Sequence, residues 1–257
     1  MAHNEFPMII GLLYVLLGTV GVFVLLRGKR LGIITHISVL TVSALLGFGA
    51  FTPMFPVQFQ QLVLGKGPDG KPVIAAIAVI ALLLLSTFAV GRIFCGYLCP
   101  VGAVQELAYF LPSKKVHGRY GSIFTIVRIV FFAAIGGSAV FGGIALLDWI
   151  GITAFFHLRM TSPFFYLFAA VLVSSLFLYR PFCRTACPLG LLMSLTSRLS
   201  FFKMRTGASC TNCMVCEKQC PTQTAILTPD RAGECYLCLR CKEKCSRDAI
   251  VYQGRKA

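Results

Sequence analysis

The chain carries CTNCMVCEKQCP from Cys210 to Pro221 and CYLCLRCKEKCS from Cys235 to Ser246. Both stretches have the spacing Cys-x2-Cys-x2-Cys-x3-Cys, which is typical of chains that hold two iron–sulfur clusters. The two-residue gaps let one tightly curved loop direct three thiolates at one cluster, and the fourth cysteine crosses to the other cluster. The pattern therefore predicts two [4Fe–4S] clusters, one held by Cys210, Cys213, Cys216 and Cys245 and the other by Cys235, Cys238, Cys241 and Cys220.

Zinc is the alternative metal, because Cys-x2-Cys pairs are also zinc ligands. Zinc sites commonly separate their cysteine pairs by roughly a dozen residues or more, and two consecutive four-cysteine runs do not fit that spacing. No side chain near the runs supplies a general base or a nucleophile. We therefore expect residues 201–257 to form a small α+β bacterial-type ferredoxin domain that transfers electrons singly.

Residues 1–200 have the composition of a protein that lies in lipid. The chain is 57% hydrophobic and 13% charged, whereas a soluble domain carries about 25% charged residues. A membrane span takes about 20 apolar residues, and we expect spans at 7–26, 31–54, 73–90, 123–147 and 163–179. The predicted fold is an α-helical polytopic membrane bundle of about five transmembrane helices, with the ferredoxin domain at its C-terminus.

The placement of the basic residues predicts a location. The formal net charge is +15, and anionic lipid headgroups explain basic residues between apolar runs better than nucleic acid does. Most of them follow the first, third and fifth runs, as Arg27, Arg92 and Arg180 do. Because positive loops stay inside, we expect a multi-pass protein of the cytoplasmic membrane with its ferredoxin domain on the cytoplasmic side.

The N-terminal part also contains a repeat. GRIFCGYLCPVG at 91–102 resembles YRPFCRTACPLG at 179–190, with an offset of 88 residues. The proline after each Cys-x3-Cys favours a new helix there, and we expect helices over 101–110 and 189–199. If the two copies meet, they offer four thiols, which are ligands of a third metal centre, redox-active thiols or small core residues. The four cysteines are Cys95, Cys99, Cys183 and Cys187.

Two polar residues fall inside predicted helices. His36 has the chemistry to hydrogen-bond a quinone carbonyl, and it equally suits a capping role among its neighbours. Arg128 either faces an anionic cluster or a quinone headgroup, or it extends to the nearby membrane interface. We favour the capping role for His36, whereas the sequence does not decide between the two roles of Arg128.

Two Cys-x3-Cys-Pro motifs on apolar helices, followed by a two-cluster cysteine run, resemble the NapH/MauN family of ferredoxin-type membrane proteins. The membrane portions of NosR and CcoG proteins share this pairing of motifs. The resemblance covers about residues 75–250. It implies a subunit that takes electrons from membrane quinol and passes them toward reductases through partner subunits.

The main hypothesis is therefore a membrane-bound electron-transfer subunit, with or without a quinol dehydrogenase activity of its own. Its expected partners are lipid, quinol and other redox proteins. The alternative, which the resemblance to MauN and CcoG implies, is a membrane reductase that assists maturation of metal centres or cofactors. Thiol pairs acting on a metal ion such as copper would favour that alternative.

Overall fold

The computed structural model describes residues 6–28, 31–49, 59, 62, 73–116, 121–142, 150–224 and 233–254. Within these residues the backbone forms eleven α-helices, one π-helix and two strands. The long N-terminal helices are α1 (Phe6–Arg27), α2 (Ile33–Gly49) and α3 (Val73–Val90), followed by the π-helix (Phe94–Leu98), α4 (Pro100–Phe110) and α5 (Gly121–Gly142). Then come α6 (Ile152–Phe156), α7 (Pro163–Ser174), α8 (Pro181–Thr185), α9 (Pro188–Arg198), β1 (Phe202–Thr206), α10 (Val215–Gln219), α11 (Arg240–Glu243) and β2 (Ile250–Gly254).

The prediction of a polytopic membrane bundle is wrong for the part of the chain that the structure describes. No helix there is both long enough and apolar enough to cross a membrane. Crossing takes about 20 residues, whereas α2 has 17 residues and α7 has 12. The run predicted at 163–179 leaves the helix after Ser174, where Ser174 and Ser175 both donate hydroxyl hydrogen bonds to Val171 O. These side-chain bonds share the acceptor with the backbone N–H of Ser175, and bonds of this kind slightly destabilise a helix.

The two helices predicted from the repeats are confirmed, with starts one residue earlier than expected. Helices α4 and α9 begin at Pro100 and Pro188, in the first helical turn, where a missing N–H costs nothing. The preceding residues, Cys99 and Cys187, have extended backbones with ψ of 117° and 114°. Each second cysteine of the motif therefore caps a helix instead of continuing the short helix before it.

Three apolar clusters form the core of the described residues, and two of them include residues from before and after position 200. One cluster joins Leu83 of α3 and Tyr97 of the π-helix to Leu237 of the C-terminal region. The other joins Phe168 of α7 to Tyr236. The C-terminal region thus packs against the helical part through shared apolar contacts. The predicted boundary at residue 200 stays a prediction.

A two-stranded sheet closes the C-terminal region. Strands β1 and β2 are antiparallel, with Phe202 opposite Gly254 and Thr206 opposite Ile250. The hydroxyl of Tyr252 in β2 donates a 2.6 Å hydrogen bond to Val90 O, at the end of α3. The sheet therefore attaches both ends of the cysteine-rich segment to the helical part.

Candidate metal centres and the buried charges around them

The two cysteine runs fold into loops with matching backbones. Left-handed residues, which are rare outside glycine, occur in pairs 25 positions apart: Asn212 and Leu237, Met214 and Leu239, Gln223 and Asp248. Left-handed residues in a loop turn successive N–H groups inward and form concavities that bind anions, including iron–sulfur centres. Bulky residues such as Leu and Met hold this strained conformation mainly where function requires it.

The four cysteines of the first predicted set line one cavity near the surface, which we call the outer cavity. Thr206 of β1, Val215 and Ile250 complete its wall. Cys213 is exposed to solvent. The cysteines that line it are Cys210, Cys213, Cys216 and Cys245.

The second predicted set lines another cavity, which we call the inner cavity. Tyr179, from the helical part, and Met204, from β1, cover it together with Tyr236 and the leucines of the loop. Its Cys241 is only 8% exposed. The cysteines that line it are Cys220, Cys235, Cys238 and Cys241.

The residues around both cavities fit a [4Fe–4S] cluster in number and type of donor, because each cavity is lined by four thiols and by mostly apolar neighbours. Among the described residues, no three His, Cys, Asp or Glu side chains meet at a single metal ion. A cubane needs no such meeting point, because its four thiolates bind four different iron atoms. The assignment of individual ligands stays a prediction.

The four cysteines of the repeats come together inside the molecule. Burial, and then the thiols of Cys183 and Cys95, raise the pKa of Cys99 to about 12. Burial raises the pKa of Cys187 well above its usual range, and the other three thiols add to the effect. Each thiol therefore lies within electrostatic reach of the others, and the thiols of Cys99 and Cys187 are protonated at neutral pH when no metal is bound. A third metal centre at this position stays a prediction.

Each repeat contacts the first cysteine of the other. Gln105 donates a hydrogen bond from Nε2 to Cys183 Sγ at 3.5 Å. Met193, which follows Gln105 by the same 88 residues, has its Sδ 3.0 Å from Cys95 Sγ. The repeats are thus related in space as well as in sequence.

A buried carboxylate, Glu106 of α4, joins the repeats to the C-terminal region. It accepts hydrogen bonds from Arg180 Nε at 2.7 Å and from Arg240 Nη2 at 3.2 Å, as well as from the hydroxyl of Tyr179. Burial would raise the pKa of Glu106, but Arg180 and Arg240 more than offset it, and the net shift is downward. Glu106 is therefore an anion at neutral pH.

A second carboxylate, Glu234, is paired with two arginines in the same way as Glu106. Arg128 donates to both of its carboxylate oxygens, at 2.8 and 3.1 Å, and Arg92 lies 3.7 Å away. Burial opposes ionisation, but these two arginines hold the pKa of Glu234 at about 2. Ser194, the counterpart of Glu106 in the second repeat, donates its hydroxyl to Glu234.

Each of these two networks contains two arginines and one glutamate. Each therefore carries a surplus of one positive charge in a buried place. A buried charge is costly unless a charge of opposite sign is near. A cubane held by four thiolates is an anion, so this surplus is an independent reason why the inner cavity fits one.

Sequence reasoning missed most of these charged residues. Glu106, Glu234 and Arg240 have no distinctive spacing in the sequence. The two arginine partners of Glu106 lie 74 and 134 positions away from it, and Arg128 lies 106 positions from Glu234. A usable signal was that Arg92 and Arg180 occupy the same place in both repeats.

The two polar residues of the predicted helices are now placed. Arg128 does not extend to an interface; it is 2% exposed and paired with Glu234. His36 is fully buried, and neither ring nitrogen has a hydrogen-bond partner in the part of the chain that the structure describes. The capping role predicted for His36 is therefore wrong for these residues. Glu106 Oε1 lies 3.9 Å from its Nε2.

Comparison with known proteins gives the family. The 4Fe-4S binding domain family Fer4_5 matches residues 72–119 and 163–207, which include both Cys-x3-Cys-Pro motifs. The uncharacterized protein MJ0750 of Methanocaldococcus jannaschii is 31% identical over 199 residues, which are 73% of this chain and 81% of that protein. No solved structure matches the chain.

Other relatives have functional names. The putative electron transport protein YccM of Escherichia coli K12 is 28% identical over 211 residues, 72% of this chain and 56% of YccM. The ferredoxin-type protein NapH of the same organism is 22% identical over 199 residues, 71% of this chain and 69% of NapH. Together with the repeats and the paired cysteine cavities, these matches show that the chain belongs to the NapH/MauN-type family of ferredoxin-type proteins.

Proposed function

We propose that this iron–sulfur protein relays electrons one at a time between the quinol pool and a partner redox protein. The observation that carries the proposal is the pair of cysteine-lined cavities at different depths. The inner cavity lies against the helical part through Tyr179, and the outer cavity reaches solvent at Cys213. This arrangement offers a route between a buried electron donor and a soluble acceptor, in either direction.

A [4Fe–4S] cluster bound in each cavity would supply one-electron oxidation and reduction. The cysteines would hold it as thiolates, and the left-handed loop residues direct backbone N–H groups toward the cavities. The arginine-rich networks balance negative charge at the inner cavity. Tyr179 and Met204 keep water away from the inner cavity. The inner cavity therefore differs from the outer cavity in polarity as well as in position.

The proposal gives His36 a role on the quinol side. A quinol must lose a proton with each electron, and a buried neutral imidazole accepts and donates hydrogen bonds. Burial, together with Arg180 and Arg240, lowers the pKa of His36 to about 4 although Glu106 opposes the shift, so the ring is neutral at pH 7. Its two nitrogens have no hydrogen-bond partner among the residues that the structure describes.

Lipid is the partner that suits the outer faces of the long helices. Large apolar side chains are exposed there, among them Leu17 of α1 (69% exposed), Ile34 of α2 (79%) and Leu85 of α3 (65%). Exposed apolar surface of this kind marks sites of contact with lipid or protein. We propose that this surface rests against the cytoplasmic membrane, with the C-terminal region on the cytoplasmic side; no helix that crosses the bilayer is invoked. Serine at these three positions should release the protein from vesicles in a flotation assay.

The decisive experiment is the iron and acid-labile sulfide content per chain, with EPR spectra after dithionite, on anaerobically purified protein. The matched variant has Ser at Cys95, Cys99, Cys183 and Cys187. About eight irons in both proteins support two clusters, and more than eight, falling to eight in the variant, supports a third centre at the repeats. Little iron in either protein would overturn the proposed function.

Quinol is tested separately by mixing a water-soluble quinol analogue with the oxidised protein. We expect EPR signals of reduced clusters in the wild type. His36→Phe should lose the response to quinol while it keeps the response to dithionite. Equal responses of both proteins to quinol would remove His36 from the proposal, and no response in the wild type would remove quinol.

One contact favours the second candidate function, a reductase that assists metal-centre maturation. The Sγ of Cys95 and the Sδ of Met193 lie 3.0 Å apart, and thiolate with thioether is a ligand pair that suits Cu(I). A reductase of this kind should bind Cu(I) at the repeats in competition with a chromogenic chelator. The Met193→Leu variant should then compete less well, whereas the electron relay predicts equal and weak binding by both proteins.

A further inference from the structure

Arg92 and Arg180 occupy the same position in the two Cys-x3-Cys-Pro repeats, 88 residues apart. Both side chains are buried, with exposed fractions of 1% and 0%. A buried guanidinium is tolerated only where its N–H groups are bonded and its charge is balanced. The contacts of these two arginines therefore indicate their role.

Each arginine donates hydrogen bonds into the other repeat. Arg92 Nη2 donates to Gly190 O at 3.3 Å. Arg180 Nη2 donates to Gly96 O at 2.8 Å, and its Nη1 donates to Cys95 O. The planar fork of arginine suits such paired bonding. The two side chains thus fix the cysteine loops of the repeats relative to each other.

Both guanidinium groups also lie against the ring of Tyr236. The distances from Cζ to the ring centroid are 4.1 Å for Arg92 and 5.0 Å for Arg180. Arg92 further donates from Nη2 to the hydroxyl of Tyr236 and from Nη1 to Gly233 O, both at 3.1 Å. Tyr236 lies between two cysteines of the inner cavity and lines that cavity. Residues of the repeats therefore determine where an inner-cavity residue sits.

The backbone of the first repeat also touches the backbone of the inner-cavity loop at Tyr236. A Cβ added to Gly96, inside the first Cys-x3-Cys, would overlap Tyr236 O. The equivalent position in the second repeat is Arg184, whose side chain lies against Phe124, 4.1 Å from its ring. The first repeat is thus shaped to approach the inner cavity directly.

We propose that Arg92 and Arg180 are positioning residues that fix Tyr236 between the four repeat cysteines and the inner cavity, and that their charges raise the reduction potential of the centre bound there. Reduction adds one electron, which the reductant supplies, and makes that centre more negative. Fixed positive charges nearby favour the added negative charge. This inference rests on the proposed function, because it requires a cluster in the inner cavity.

The test is a potentiometric titration of the whole, anaerobically purified protein, followed by EPR. We expect Arg92→Gln and Arg180→Gln each to lower the reduction equilibrium constant of one cluster about tenfold, which is about 59 mV for one electron. The potential of the other cluster should not move, because the outer cavity has neither arginine in its wall. Arg159→Gln, a change at an exposed arginine, is the control and should shift neither potential.

Lysine variants separate charge from position and remain informative if the glutamine variants fold poorly. Arg92→Lys and Arg180→Lys keep the charge but lose the planar fork, so the potential should stay near that of the wild type. The EPR line shape of that cluster should change, because Tyr236 is no longer fixed. Loss of iron from the inner cavity alone, with the outer signal intact, would also support the positioning role.

Unchanged potentials and unchanged line shapes in all four variants would overturn the inference while leaving the proposed function intact. A wild-type protein that holds no iron–sulfur cluster would instead overturn the proposed function. The two failures are therefore distinguishable in one set of samples.

Discussion

At the scale of single residues, Gly96 is the position where the need for a residue without a Cβ is strictest. It contacts Tyr236 O so closely that any Cβ would overlap that atom. We expect Gly96→Ala to push the loop of the inner cavity outward, with a loss of about 1–3 kcal/mol, as is usual for overpacking. The variant should melt at a lower temperature, and iron analysis should show a loss of about half of the bound iron.

Gly136 provides the matched control, because an added Cβ there meets nothing within 4 Å. It lies inside α5, where Ala is favoured over Gly by roughly 0.5–1 kcal/mol. Gly136→Ala should therefore keep its iron and melt at the same or a higher temperature. Equal behaviour of the two variants would contradict the close contact at Gly96.

His36 should make the stability of the protein depend on pH. Burial lowers its pKa from 6.5 to about 4, so the unfolded chain binds a proton between these values while the folded protein does not. A depressed histidine pKa contributes stability above pH 6.5, and this stability is lost as the pH falls toward 4. Between pH 7.5 and 5 the loss should be about 2 kcal/mol, which lowers Tm by about 4–8 °C.

His36→Phe is the comparison, since it keeps an aromatic ring beside Tyr97 and Phe110 and removes the titration. Melting followed by circular dichroism should give a flatter dependence of Tm on pH for this variant. Iron content is measured at each pH to account for clusters lost in acid. Parallel curves for the two proteins would show that His36 is not the group responsible.

At the scale of helices and loops, the sequence predicts what is local. Proline after Cys99 and Cys187 predicts the starts of α4 and α9, because it cannot continue the helix before it. The cysteine spacing predicts which three thiols of each run share a cavity, because the gaps between them are short, and the two-cluster pattern predicts the crossing of the fourth. The ends of helices are harder to predict: α7 stops at Ser174, where two serine hydroxyls bond to Val171 O, and no pattern in hydrophobicity reports those bonds.

The hydrogen bond between β2 and α3 can be tested by removing a single oxygen atom. Tyr252→Phe removes the hydroxyl that donates to Val90 O, and we expect a loss of about 0.5–1.5 kcal/mol. Tyr166→Phe is the control, because Tyr166 is 62% exposed, and its Tm should match the wild type. A Tyr252→Phe protein that melts like the control would show that the sheet is held by apolar packing alone.

At the scale of the whole molecule, the charges that surround the inner cavity come from regions far apart in the chain. Arg92 and Glu234 are 142 positions apart, and Glu106 and Arg240 are 134 apart. Single-residue patterns carry no information about such pairs, so the sequence could predict the cysteine sets but not the ionic networks beside them. The offset of 88 residues between the repeats is the exception, because it places Arg92 and Arg180 in equivalent surroundings.

The different depths of the two cavities lead to the last prediction, that iron leaves the protein in two steps. Cys213 of the outer cavity is exposed, whereas Cys241 of the inner cavity is 8% exposed and Tyr179 and Tyr236 cover its site. Oxygen and a chelator should therefore reach the outer site first. In air with EDTA, we expect two phases of iron release of about equal size. A variant with Ser at Cys210 and Cys213 should lack the fast phase, and one with Ser at Cys238 and Cys241 should lack the slow phase. Release in a single phase, or loss of the phases in the reverse order, would contradict the proposed depths, since burial slows attack on a centre and exposure permits it.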